Sequence, residues 1–501
     1  MPAWWRDGKL GIFIHWTPAS VPGFAPTGAE IGELLAAGRP DALAWTPYTE
    51  WYENSLRFDG SPVARHHAAT WGRLPYRAFA RRWEEALDGW DPDAWAARFA
   101  ATGARYVVLV TKHHDGYCLW PSSVPNPHAP DFRCSRDVVG ELAEATRARG
   151  MRFGVYYSGG LDWTFEDRPI GTVSDLALAQ PGGAYPAYAE AQVRELIDRY
   201  RPSVLWNDIS WPTTLGPLRR LIADYRAAVP DGVVNDRFLP RSAPWAALRT
   251  RPGRRLLDRL VAAGSRRGAG IVPPTPPIFD VRTPEYTTFE VAQRTPWECV
   301  RGMDHSFGYN RASRPEDFLS RRDLCWLLVD IAAKGGNLLL NVGPRGEDAT
   351  IPAEQAERLD WLAACTAGAG EALWSTRPWV VPGTGAAGEG GVPGAAEVRY
   401  TARDRDLFVF VRAARPGTTV TEVTLGEVTA GAATTVGRLD PPGPAVHEVT
   451  PGGLRIILDP PVGDLPVALR LRHAPARPHP HAGVHRPDGD GVAGTGPEPG
   501  R

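Results

Sequence analysis

Arg201-Pro-Ser-Val-Leu-Trp-Asn-Asp-Ile-Ser-Trp-Pro212 reads as an apolar strand that ends on a carboxylate flanked by two indoles. The same shape recurs along the first two thirds of the chain. Leu10 to His15, Tyr106 to His114, Phe153 to Tyr157, Gly232 to Arg237 and Leu338 to Asn341 are apolar runs that turn polar where they end. A parallel (β/α)8-like barrel, the TIM barrel, predicts this pattern, because its strands are buried on both faces and its active site gathers at their C-terminal ends. Asp208 is thereby the first candidate for a catalytic group.

The segments between these runs have helical periodicity. Pro92 to Thr102, Arg136 to Arg149 and Tyr188 to Tyr200 place apolar residues three or four apart, and Gly103 and Gly150 stand where a helix should stop. Polar ends on many different strands favour a closed barrel over an open sheet with a single switch-point crevice. No Gly-x-Gly-x-x-Gly follows any of the strands, which weighs against a dinucleotide fold.

Residues 240–277 break the rhythm. An arginine-rich helical piece, Ala247 to Arg267, leads into Val272-Pro-Pro-Thr-Pro-Pro277 and reads as an excursion on a barrel loop within a catalytic domain spanning 1–375. Gly, Ala and Pro then dominate 370–395. Beyond them, Glu397 to Val411, Val420 to Val428, Leu454 to Leu458 and Val467 to Arg472 alternate apolar and polar residues, as a C-terminal antiparallel β-sandwich over 390–473 should. Residues 474–501 lack an apolar pattern and are expected to be disordered.

Composition narrows the partners. A chain of 501 residues is too long for one core, and a hydrophobic fraction of 43% with a formal charge of −1 gives no one-signed field of the kind that nucleic acids or membranes attract. The N-terminus lacks the pattern of a signal peptide, and no run of about eighteen apolar residues is present, so a cytoplasmic location is expected. Five scattered cysteines form neither a disulfide framework nor zinc spacing, which fits a reducing compartment. Nineteen tryptophans suit a large core and, equally, the apolar faces of sugar rings. A homo-oligomer is compatible with all of this.

Lys112-His-His-Asp-Gly116 follows the second apolar run. Adjacent strand residues point to opposite sides, so His113 and His114 reach one site only where the chain is already leaving the sheet, as Asp-Gly suggests. Metal-binding spacings are absent, so neither metal nor cofactor is expected, and ring nitrogens that donate and accept hydrogen bonds to sugar hydroxyls explain the pair better.

Six motifs in order carry a resemblance. Gly11-Ile-Phe-Ile-His-Trp16, Glu50-Trp-Tyr-Glu-Asn54, Lys112-His-His-Asp-Gly116, Phe153-Gly-Val-Tyr-Tyr-Ser-Gly-Gly-Leu-Asp-Trp163, Leu205-Trp-Asn-Asp208 and Val234-Asn-Asp-Arg237 resemble the successive active-site motifs of α-L-fucosidases of glycoside hydrolase family 29. The similarity spans roughly residues 1–375. It implies a retaining exo-α-L-fucosidase acting on fucosylated oligosaccharides or glycosides, with Asp208 as nucleophile. Thr283-Pro-Glu-Tyr286 resembles the element that supplies the acid/base, which points to Glu285, with Glu298 and Glu50 as rivals. By the same resemblance His15, Glu50, Trp51, His113 and His114 hold the fucose hydroxyls, and Tyr156 and Arg237 lie against the nucleophile and ring. Lys334 to Pro344 also resembles the family and reads as a late strand and turn with a structural role. Thr17 departs from the usual glycine, and the 240–277 excursion bears on the leaving-group side. The readings set against hydrolysis of fucosides are a glycosidase for a galactose-configured sugar and a carbohydrate-binding homologue without turnover.

Overall fold

In the computed structural model, which describes residues 1–242, 248, 250–265, 270–386 and 395–474, the apolar runs form one parallel sheet. Its strands are β1 (Leu10–Ile14), β2 (Tyr106–Lys112), β3 (Arg152–Ser158), β4 (Val204–Asp208), β5 (Val233–Val234), β6 (Glu298–Arg301) and β7 (Asn337–Val342), ordered β5-β4-β3-β2-β1-β7-β6. The curled sheet is closed by an irregular eighth stave. Val281 pairs with Asn235 beyond β5, while Arg282 pairs with Trp297 and Glu285 with Val300, all in parallel. Pro284 has no amide hydrogen to donate, which is why this stave makes isolated bridges instead of a continuous ladder. Neither the stave nor β6 shows in the sequence as an apolar run, and β5 is much shorter than Gly232 to Arg237.

Side-chain parity along the strands sorts the interior from the outside. Phe13, Val108, Val110, Tyr156, Val204, Trp206, Val300 and Leu339 share the core inside the barrel. Their neighbours Ile12, Ile14, Val107, Leu109, Val155, Leu205 and Leu340 pack outward with the helices. The interior parity continues past the apolar core at the C-terminal ends: Phe13 leads to His15, Trp206 to Asp208 and Leu339 to Asn341.

The expected helices form as Pro92–Ala101, Val138–Ala148 and Tyr185–Tyr200. Asp91 caps the first by accepting from the amides of Asp93 and Ala94 at 2.9 and 3.0 Å, with Pro92 at the first helical position. The excursion contains a helix, Arg251–Ser265; Ala247, Arg266 and Arg267, expected to belong to it, lie outside the described residues. That helix is pinned through Asp258, which accepts from the Ser174 amide at 3.0 Å and hydroxyl at 2.7 Å. The chain then returns to the barrel by pairing Ile271 with Glu285 through two backbone hydrogen bonds of 2.8 and 2.9 Å. Gly270 is needed there, since a Cβ would stand 2.3 Å from the Glu285 carbonyl oxygen.

Beyond the barrel, a six-stranded and a three-stranded antiparallel sheet pack face to face. Val398, Tyr400, Leu407, Val409 and Val411 of one meet Val423, Leu425, Leu454 and Ile456 of the other. The first of these strands, Arg377–Ala386, falls where the sequence suggests only a Gly, Ala and Pro-rich break. Phe408 and Phe410 sit in the barrel's outer core and join the two parts. The tail expected to be disordered lies outside the described residues, apart from Ala474.

Candidate active site

Asp208 inherits interior parity from Trp206 and stands at the mouth of the barrel. Its Oδ2 accepts a hydrogen bond from the Tyr156 hydroxyl at 2.7 Å, and its Oδ1 accepts from Arg237 Nη1 at 3.0 Å and from the Ile209 amide at 2.8 Å. Both oxygens are therefore held. Trp206 stacks on Tyr156 with centroids 5.3 Å apart, whereas Trp211, the second indole of the opening motif, packs outward against Phe238.

Glu285 reaches the same mouth from the irregular stave. Its Oε1 accepts from the Tyr48 hydroxyl at 2.5 Å and its Oε2 from Arg237 Nη2 at 2.9 Å. One guanidinium thus bridges the two carboxylates through its two terminal nitrogens. Burial opposes the charge of Arg237, but Glu285 and Asp208 outweigh it and raise the Arg237 pKa further above its ordinary value. The guanidinium also lies 4.7 Å from the Trp206 ring centroid. The residues that follow the two carboxylates share a rare backbone: Ile209 has φ 68° and Tyr286 has φ 54°, both left-handed without being glycine. For a β-branched residue this conformation is strained, and strain of this kind collects at functional sites.

The remaining residues named from the sequence converge here. His15 bonds through Nδ1 to Asn341 Oδ1 at 2.5 Å, and His114 through Nδ1 to Ser158 Oγ at 2.7 Å. His113 stacks on Tyr156 at 5.5 Å, and its buried Nδ1 has no hydrogen-bond partner. The His113 and His114 rings are 4.0 Å apart because β2 ends at Lys112 and the pair lies in the turn. Behind that turn Lys112 and Asp162 form a fully buried ion pair of 2.6 Å. Trp51 meets His114 edge-on at 5.3 Å. Glu50 Oε2 accepts from the Gly308 amide at 2.9 Å and the Thr49 hydroxyl at 3.1 Å.

Burial sets the charge states of this wall. It lowers the pKa of His15 to about 4, and pushes those of His113 and His114 well below the usual value, so all three imidazoles are neutral near pH 7. Burial likewise raises Glu50 to about 7 against the pull of the Gly308 amide. Neutral imidazoles offer both a donor and an acceptor, which is what recognition of hydroxyl groups requires. Metal-type spacings are missing from the sequence, yet the fold brings His15, Glu50 and His113, and also His113, His114 and Asp208, to within 4.8 Å of one another by their ligand atoms. Convergence in space is not visible in spacing.

Of the two rivals to Glu285, Glu298 opens β6 and accepts from the hydroxyl of Tyr106, which opens β2, so it lies at the opposite end of the barrel. Glu50 stands among the histidines. Tyr48, Asn341, Ser158 and Gly308 join the site without having been singled out. Asn341 belongs to a motif read as structural, and its inward parity after Leu339 is the signal that was there to use. Tyr48 carries no local signal; only the three-dimensional path of the stave brings Glu285 to it.

A pair of carboxylates at the mouth of a TIM barrel, beside a wall of neutral histidines and tryptophans, defines a glycoside hydrolase. The α-L-fucosidase family model matches residues 1–371, and the chain belongs to that family. It is 28% identical over 396 residues to the tissue α-L-fucosidase of Bos taurus, which covers 76% of this chain and 70% of the bovine one. Among solved structures, the α-fucosidase of Thermotoga maritima in complex with a mechanism-based inhibitor is 36% identical with a TM-score of 0.75, covering 94% of this chain and 97% of that one. The Thermotoga enzyme in complex with fucose aligns with a TM-score of 0.74 at the same identity and coverage.

Proposed function

We propose that this α-L-fucosidase releases terminal L-fucose from fucosylated oligosaccharides or glycosides by double displacement, with Asp208 as nucleophile and Glu285 as acid/base. The observation that carries the reading is the Arg237 bridge. Retaining glycosidases hold their carboxyl groups about 5 to 5.5 Å apart, against about 6.5 to 9.5 Å in inverting ones, and two carboxylates shared by one guanidinium fit the shorter spacing. Asp208 attacks the anomeric carbon while Glu285 protonates the leaving oxygen; a β-linked glycosyl-enzyme forms, and water activated by Glu285 releases fucose with its configuration retained.

Both oxygens of Asp208 are anchored, so attack needs little reorientation of the nucleophile. Glu285 must turn one oxygen from Tyr48 or Arg237 towards the leaving group, which makes it the more mobile partner. His15, His113, His114 and Glu50 offer donors and acceptors to the sugar hydroxyls, and Trp51 supplies an apolar face. That Thermotoga maritima α-fucosidase was solved with a mechanism-based inhibitor and with fucose supports the same chemistry for its relative. We place the reaction in the cytoplasm, where five free thiols fit a reducing environment.

Proton NMR of an aryl α-L-fucoside during its first turnovers tests this reading. The expected first product is α-L-fucose. Initial β-L-fucose would exclude double displacement, and turnover of aryl galactosides alone would move the substrate to a galactose-configured sugar. Fucose binding without hydrolysis would leave a carbohydrate-binding homologue.

A further inference from the structure

The helices Arg321–Ala333 and Ala353–Leu373 flank β7 on the outside of the barrel and pack against one another. Each contributes one thiol to a cavity of about 310 Å³ where the barrel meets the antiparallel sheets. Cys325 is buried and Cys365 is partly exposed; Arg321, one turn before Cys325, lines the same cavity, as do Asp440 and Leu465 from across the junction. Both thiols thus face one cavity from neighbouring helices. Cys118, Cys134 and Cys299 are buried apart from this pair.

Chemistry separates the pair from the other three. Burial pushes the thiols of Cys118, Cys134 and Cys299 up to about 12, which makes them inert. Beside Cys325, its neighbour Cys365 and the charge of Arg321 favour the thiolate instead. A paired thiol whose thiolate is favoured is the species that enters thiol–disulfide exchange.

We propose that Cys325 and Cys365 are a redox-active dithiol that closes to a disulfide when a small disulfide of the glutathione type enters the cavity, tying together the last two barrel helices. The thiolate of one cysteine of the pair attacks one sulfur of the small disulfide, and the first small thiol leaves, taking up the proton that this cysteine released. The other cysteine of the pair, once deprotonated, attacks the sulfur of the first, and the second small thiol leaves with that proton. Two protein thiols lose two electrons and two protons, and the oxidant becomes two thiols.

The cross-link would act at the domain junction. The same two helices anchor the antiparallel sheets through Arg322 to Asp464 at 2.7 Å and Asp330 to Arg399 at 2.5 Å, and through Gly368, where a Cβ would stand 2.3 Å from Asp440. Oxidation therefore tightens the junction and leaves the strand ends that carry Asp208 and Glu285 untouched.

The test is to reduce the full chain, remove the reductant, and equilibrate it with oxidised glutathione. The expected protein loses two hydrogens by intact mass, yields one cross-linked peptide containing Cys325 and Cys365, melts at a higher temperature, and hydrolyses substrate at an unchanged rate. Cys365→Ser and Cys325→Ser should each stop at a single glutathione on the remaining cysteine of the pair, with no cross-link. A wild-type protein that keeps all five thiols or carries only glutathione adducts would overturn the proposal, as would a cross-link through Cys118, Cys134 or Cys299. These readouts do not depend on the substrate of the barrel.

Discussion

The two carboxylates of the site are built by opposite means. Asp208 ends a regular strand whose register with β3 runs unbroken from Gly154–Val204 to Ser158–Asp208, so the barrel core that aligns the strands also aligns the carboxylate. Glu285 sits on a stave interrupted by Pro284, held on one side by Val300 and on the other by Ile271, which the excursion delivers. Each carboxylate has its own tyrosine, Tyr156 or Tyr48, and both share Arg237. The carboxylate proposed as nucleophile thus belongs to the scaffold, and the one proposed as acid/base belongs to a loop. In the proposed mechanism the scaffold side fixes the sugar and the loop side meets the leaving group.

The comparison breaks most visibly on removal of each carboxylate. Asp208→Gly should lower kcat by on the order of 10⁴-fold or more for every fucoside, since no other group replaces the nucleophile. Glu285→Ala should cost about 10²- to 10⁴-fold on substrates with poor leaving groups and far less on those with activated aryl groups, which need little protonation. Steady-state kinetics over a series of aryl fucosides separates the two; equal slopes in both variants would refute the division of roles.

Arg237→Lys probes the shared element. A lysine has one point of charge and cannot span both carboxylates, so a loss of about 10²-fold in kcat/KM is expected, the cost of roughly 1 Å of misplacement. Loss confined to poor leaving groups would show that Arg237 serves Glu285 alone. The tyrosines sharpen this further. Tyr156→Phe should slow all fucosides roughly tenfold by loosening Asp208, whereas Tyr48→Phe should do so only where Glu285 is needed.

Much of the Asp208 side was legible in the sequence, for a physical reason. Buried parallel strands are continuous apolar runs, and their polar ends stand out against them, as in Leu205-Trp-Asn-Asp208 and Gly11-Ile-Phe-Ile-His15. Glu285 is surrounded by Thr, Pro and Tyr on a stave with no periodicity, and only likeness to a family motif singled it out. The four residues of β6 include Glu298 and Arg301, so they do not read as a buried strand. Glu298 is inside nevertheless, because Tyr106 satisfies it at the far end of the barrel. Partners such as Tyr48 and Gly308 come from loops whose paths depend on the whole fold.

The smallest effect concerns pH. Glu50 is raised to about 7 in the folded protein against an ordinary value of 4.5, so between those limits the folded state binds more protons than the unfolded state, and this group's contribution to stability falls as pH rises. His15 works the other way: lowered to about 4 from 6.5, it makes the unfolded state bind more protons in that window, so stability falls as pH falls. Glu50→Gln keeps an acceptor for the Gly308 amide and removes only the first term. Its melting temperature relative to the wild type should therefore rise from pH 4.5 to pH 7; a constant difference would show that Glu50 does not hold its proton in the fold.

The most direct measurement is azide rescue of the two carboxylate variants on one aryl α-L-fucoside, reading the configuration of the fucosyl azide. Asp208→Gly should regain turnover and give the β-azide, because azide enters the space the nucleophile left, and Glu285→Ala should give the α-azide from the glycosyl-enzyme. Rescue of neither variant, or the same anomer from both, would contradict the assignment of a scaffold-borne nucleophile and a loop-borne acid/base.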